Sequence, residues 1–161
     1  MDQDTATGIS ATATRLPGKA WTAYLGVALL GLIALAAALA LAWFQHAGAG
    51  LALAAAVLPV ALYRILLLKS YALYYDDVGV WLYSGILPWK KGVAGVKWRD
   101  LDEAVFEPSF WSWLFRSYNL RIGHRYTKSS EIFLTQMADG QKSVMAINAR
   151  HQALVRANVL S

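Results

Sequence analysis

From Trp21 to Phe44 no side chain is charged, and after the stretch Gln45 to Gly50 a second apolar run continues to Leu68 with Arg64 inside it. The first run holds 24 residues. At ~1.5 Å of rise per residue it reaches about 36 Å, against roughly 30 Å for a hydrocarbon core. The pattern predicts a transmembrane hairpin over residues 19–69, with spans at about 21–44 and 50–68. So short a connection forces the helices antiparallel, and its glycines permit the reversal. From Ser70 the apolar positions alternate instead. Tyr71 to Tyr75 and Val78 to Ser84 read as strands turned at Asp76-Asp77, followed by strand candidates at Val93 to Trp98, Glu103 to Glu107, Tyr118 to His124 and Glu131 to Gln136. Spacing of three and four returns with Val144, Ile147, His151, Leu154 and Val155, which predicts a helix over about 139–158 with Asp139 placed to cap it.

Charge refines this picture. Before Ser70 there are 4 Lys/Arg and 2 Asp/Glu, and from Ser70 onward 11 and 8. The second part is only mildly basic, with no cation run longer than Lys90-Lys91, so nucleic acid is not an expected partner. Arg15 and Lys19 precede the first span, Arg64 and Lys69 end the second, and the connection has no cation, which places both termini in the cytoplasm. Trp21, Tyr24, Trp43, Phe44 and Tyr63 fit aromatic belts. The first run exceeds a signal-peptide core and ends in bulky residues, so it is read as a retained anchor. Residues 1–18, rich in Thr and Ala, are read as a flexible cytoplasmic tail. Arg64 is expected to snorkel and Pro59 to be structural. Ala36 and Ala40 with Ala52 and Ala56 offer small faces for close helix approach. Cysteine is absent, which excludes disulfides, thiolate catalysis and Cys-based metal sites.

Consecutive antiparallel strands closed by one helix predict an α+β membrane protein whose domain, residues 70–161, is a small antiparallel open barrel with strands at about 70–136. Tyr75 to Val80 opening a strand, Ser84-Gly85-Ile86-Leu87 ending it, Trp98-Arg99-Asp100-Leu101 with Asp102 to Phe106, and Leu114 to Ile122 before the closing helix carry a resemblance. Together they make Tyr71 to Leu160 resemble the bacterial PH-like domain family of small membrane proteins, in which a two-helix hairpin precedes the domain. The resemblance implies a seven-stranded, partly open barrel capped by a C-terminal helix, in the bacterial cytoplasmic (inner) membrane. It does not imply phosphoinositide binding, because no compact Lys/Arg signature accompanies it.

Two groups of residues are candidate sites. Phe110, Trp111, Trp113, Leu114 and Phe115, followed by Arg116, concentrate aromatic mass in one short segment. Such a segment can fill the barrel core, form a protein interface, or contact lipid with Arg116 on phosphate. Lys90, Lys91 and Lys97 from one part of the sheet, with Arg121, Arg125 and Lys128 from another, could converge on an anionic headgroup or form a solvated polar face. His46, His124 and His151 are scattered and belong to no catalytic motif, and Asp76-Asp77 and Asp100 to Glu103 suit turns. No catalytic residue, metal site or cofactor is expected. The sequence therefore reads as a non-enzymatic membrane adaptor or accessory subunit with a protein partner or further copies of itself. The alternative is a module that senses anionic lipid through its basic strands and aromatic loop.

Overall fold

The computed structural model describes residues 13–44 and 47–157. A short strand β1 (Thr14–Arg15) precedes two long helices, α1 (Trp21–Trp43) and α2 (Ala47–Ser70). Strands β2 (Ala72–Tyr75), β3 (Gly79–Ser84), β4 (Gly92–Lys97) and β5 (Leu101–Glu107) follow, then the short helix α3 (Phe110–Phe115). Strands β6 (Ser117–His124) and β7 (Ile132–Ala138) and helix α4 (Gly140–Arg156) complete the chain, with a 3-10 turn at Lys128–Ser130. The strands form two antiparallel sheets, β1-β2-β3-β4 and β5-β6-β7.

Both long helices are apolar and of membrane-spanning length, and few of their residues are buried. They pack as a hairpin. Its close contact runs through Gly50, where an added Cβ would meet the Ala38 carbonyl at 2.6 Å and the Ala42 Cβ at 3.0 Å. Buried Ala38 faces this contact, whereas Ala36, Ala40, Ala52 and Ala56, the small faces expected to meet, are exposed. The helix α2 is longer than its predicted span, taking in Ala47 to Ala49 before it and Lys69 and Ser70 after it, and Gln45 and His46 lie outside the described residues.

Alternation builds the core. In β6 Tyr118, Leu120 and Ile122 turn inward while Asn119 and Arg121 turn out, and Ile132 and Leu134 do the same in β7. They meet Leu73, Val80, Val96, Trp98 and Leu101, and α4 covers them with Val144 and Ile147. The Trp98 indole is buried and donates from Nε1 to the Asp76 carbonyl at 2.8 Å. Asp76 shapes the β2–β3 turn, its Oδ1 accepting from the amides of Val78 and Gly79 at 2.8 and 2.9 Å. The period-two rule breaks once in β7. A register shift between Tyr118 and Leu120, with Gln136 at φ 52, inserts an extra residue so that Met137 is buried in place of Gln136. That bulge carries the strand to Ala138, beyond the end its alternation predicts. Two details of α4 also differ from expectation. Asp139 sits at the N-cap in the left-handed region and makes no side-chain cap, its carbonyl instead accepting from Lys142 and Ser143 amides at 2.9 and 3.3 Å. Val155 is exposed, so the buried stripe ends at Leu154.

The residues before α1 correct the tail expected over residues 1–18. Positions 1–12 lie outside the described residues, but Thr14 and Arg15 pair with Tyr75 and Tyr74, and the Leu16 amide donates to the Leu73 carbonyl at 2.9 Å. The chain then crosses to the other sheet. The Ala138 amide donates to the Gly18 carbonyl at 2.9 Å, Lys19 bridges to Met137, and the Ala20 amide donates to the Gln136 carbonyl at 2.8 Å. Leu16 and Ala20 are buried. The segment thus seams the two sheets together before it enters α1. Replacing Leu16 with Ala is expected to cost roughly 2–4 kcal/mol in chemical unfolding of the detergent-solubilised chain, as a buried leucine should. An effect near zero would return the segment to the status of a tail.

His151 of α4 stacks on Trp98, with ring centroids 6.3 Å apart. Burial, and secondarily Arg125, lower its pKa from the usual 6.5, against weaker raising effects of a backbone hydrogen bond with Trp98 and of Asp102. The unfolded chain therefore binds more protons just below pH 6.5, and this group's contribution to stability is lost as pH falls through that window. The slope of unfolding free energy against pH between about 5 and 6.5 should be shallower in His151→Gln than in the parent. An unchanged slope would remove His151 as its source.

Candidate functional site

Strand direction divides the sheet domain into two ends. The last turn of α2 feeds β2 directly, so the Ala72 end of β2 and its partner Tyr83 lie beside the hairpin, as do the β3–β4 connection, α3, and the Ser117–Ala138 pair. The opposite end holds the Asp76 turn, Trp98 to Leu101, and the β6–β7 connection.

The aromatic segment is at the hairpin end. It forms α3, capped by Ser109, whose Oγ accepts from the Ser112 amide at 3.0 Å, and stopped by Arg116 at φ 50. None of its side chains is buried, which overturns the core reading of Phe110, Trp111, Trp113, Leu114 and Phe115. Phe110, Trp111 and Trp113 are 65, 63 and 68% exposed, more than any core aromatic would be. The rings organise one another. Trp111 stacks on Phe115 at 5.8 Å, and Phe110 meets Trp111 and Trp113 at 5.3 and 6.3 Å. Phe115 then meets Trp21, the first residue of α1, edge to face at 5.4 Å, and Thr22 donates to Ser117 Oγ at 2.6 Å. A six-residue aromatic helix is therefore held beside the base of the apolar hairpin, with Arg116 exposed after it.

A second apolar tip lies at the same end. Ser70 at the end of α2 donates from Oγ to the Leu67 carbonyl at 2.7 Å and accepts from the Gly85 amide at 3.1 Å. This ties down the β3–β4 connection. Gly85 has φ +107 and lies so close to Lys90 that an added Cβ would meet its carbonyl at 2.2 Å, so the connection requires glycine there. It presents Trp89, 77% exposed, next to exposed Lys90 and Lys91. The sequence expectations give Trp89 no role, although a tryptophan beside two lysines in a loop is itself an interfacial signature.

The expected cluster of cations does not assemble. Lys90 and Lys91 are at the hairpin end, whereas Lys97 pairs with Gly79 at the far end, where Arg125 and Lys128 also lie. The seven steps of β6 put roughly 23 Å between the two ends. Arg121 is committed, donating to both oxygens of Glu131 at 2.9 and 3.0 Å. That hydrogen-bonded pair raises the Arg121 pKa and lowers that of Glu131. From the sequence Lys19 is only a topological marker, yet its side chain meets β7 and Tyr71 at the junction of α2 and β2. Its Nζ donates to the Thr135 carbonyl, lies 3.4 Å from Thr135 Oγ1 and sits 4.8 Å over the Tyr71 ring, and burial lowers its pKa. His124 Nδ1 accepts from the amides of Tyr126 and Thr127 at 3.3 and 3.2 Å, a turn-forming role. No protein family, curated protein or solved structure matches this chain, so the reading of the site rests on these contacts.

Because α3 presents its rings outward, changing Trp111 and Trp113 together to Ser should cost no more than about 2 kcal/mol, mostly lost ring pairing, whereas a single buried ring costs roughly 3–5 kcal/mol. Chemical unfolding of the double variant measures this. A loss in the higher range would restore α3 to the core.

Proposed function

We propose that this chain is an integral membrane protein of the bacterial cytoplasmic membrane, with both termini in the cytoplasm. Its PH-like domain works as a non-enzymatic adaptor or accessory subunit at the membrane surface. Helices of 23 and 24 residues reach about 35 Å, and their leucines point away from the sheets rather than into them. Leu29, Leu30, Leu32, Ile33 and Leu39 are all more than half exposed, a surface that suits lipid and not water. Arg15, Lys19, Arg64 and Lys69 lie toward the domain, and the positive-inside rule makes that side cytoplasmic. Two antiparallel sheets with a closing C-terminal helix support the PH-like reading.

The observation that carries the adaptor reading is the fastening of the domain. The seam of residues 14–20, the Thr22–Ser117 hydrogen bond, the Trp21–Phe115 contact and the Ser70–Gly85 hydrogen bond attach it to both helices without a linker. A sensor on a tether could search the membrane. This domain is instead held in one orientation, as a docking platform is. With the hairpin across a bilayer as proposed, α3 and Trp89 would lie at headgroup depth, which supports lipid contact for the aromatic segment and the lipid-sensing alternative. Extraction in mild detergent followed by mass determination is expected to yield a defined complex with another protein or with further copies of the chain. A lone monomer across a range of detergents would overturn the adaptor reading. Orientation is tested separately in the cysteine-free chain by Gly48→Cys, which an impermeant thiol reagent added outside intact cells should label.

A further inference from the structure

We propose that the cleft between α1 and α2 binds one anionic glycerophospholipid, its phosphate held by Lys19 and Arg64 and one acyl chain lying along the apolar trough. The inference rests on the membrane placement proposed above and adds a site distinct from α3 and from the basic strands.

The two helices do not pack evenly along their length. At the connection end they close tightly at Gly50, Ala38 and Ala42. Toward the domain they part and leave a cleft of about 730 Å³, within the size range of ligand pockets. Its walls run from Ala23 to Ala34 on α1 and from Ala56 to Leu68 on α2. These stretches are about 16 and 18 Å long, close to half of a roughly 30 Å hydrocarbon core, and so one leaflet deep. Gly26 and Gly31 line the trough, and a Cβ at either would meet nothing within 4 Å. The trough is open along its length.

Its domain end has the opposite chemistry. Lys19, Arg64, Tyr71 and Thr135 line it. Among the described residues no carboxylate pairs with Lys19 or Arg64. Thr135 engages two of the three ammonium donors of Lys19, and the Arg64 guanidinium brings five more. Burial already disfavours the charged form of Lys19, and an anion in the cleft would offset that. Arg64 lies about 9 Å before the end of α2, so its long side chain spans from trough to headgroup level.

Depth decides among occupants. A partner helix, or a helix of a second copy, would lie along the whole hairpin, but this cleft ends at Ala34 and Ala56, short of the connection end where Gly50 meets Ala38. A single acyl chain ends where the cleft ends. Two cations at the mouth select a phosphate that carries net negative charge over a zwitterionic headgroup.

Native mass spectrometry of the full chain from detergent micelles, titrated with phosphatidylglycerol, phosphatidylcholine of the same acyl chains, or inorganic phosphate, tests the site. One phosphatidylglycerol should be retained per chain at least tenfold more tightly than phosphatidylcholine, and millimolar inorganic phosphate should not displace it. Arg64→Gln should reduce that preference several-fold. Gly31→Leu should expel the lipid by filling the trough with both cations intact, and it introduces its side chain into open space. Lys19 is left unchanged because it also binds the sheet. Equal retention of the two lipids, displacement by free phosphate, or unaltered retention in Gly31→Leu would each overturn the proposal. Alkaline extraction of membranes separates this from the premise: a chain that stays in the membrane but shows no lipid preference sinks the lipid site alone, and a chain released by alkali sinks both.

Discussion

The backbone seam formed by residues 14–20 is the constraint on which the rest of the molecule depends. The segment hydrogen-bonds first to β2 and then to β7, so its backbone links the β1-β2-β3-β4 sheet to the β5-β6-β7 sheet. The seam is continuous with α1, just as α2 is continuous with β2. The domain therefore hangs from both helices by rigid backbone. Hydrogen bonds between buried amides and carbonyls fix an orientation more firmly than side-chain contact can, because breaking them strands polar groups in an apolar setting.

Fixed orientation explains why features far apart in sequence share one plane. Trp89 and the aromatic rings of α3 come from different sheets, yet both stand at the hairpin end because each connection is tied to a helix terminus: Gly85 to Ser70, and α3 with Ser117 to Trp21 and Thr22. Lys19 makes a similar junction. It belongs to the seam, borders the helix cleft and is held by Thr135 of β7. The far end is organised differently, by Trp98 with Asp76 and His151 and by the Arg150–Asp77 pair at 2.6 Å.

Much of this architecture was legible in the sequence. Apolar run length marked both helices, and alternation marked six strands to within two residues at most ends, because each is buried on one face only. Four features were not legible. Thr14 and Arg15 form too short a strand to show a period, and nothing local says that Leu16 finds its cover in residues more than fifty positions away. The bulge at Gln136 hid the end of β7 by reversing its alternation. The segment Phe110 to Phe115 is apolar at nearly every position, so periodicity cannot tell helix from strand, and only Ser109 and Ser112 hinted at a capped turn. The cations were grouped by sign, whereas strand direction sends Lys90 and Lys91 one way and Lys97, Arg125 and Lys128 the other.

The seam also bears on how the protein is made. The seam leaves the ribosome before either apolar helix, while β2, to which β1 pairs, and β7, which Gly18 to Ala20 meet, follow both. In a bilayer, the seam can reach them only if the two helices have inserted as a pair that returns the chain to the side it left. A first helix inserted the wrong way round would strand β1 across the membrane and leave β2 with a bare edge and Leu73 uncovered. With the hairpin in a membrane as proposed, completion of the sheet would act as a check on insertion, and a misoriented chain would present an open strand edge and an unfinished core to the quality-control proteases of the cell.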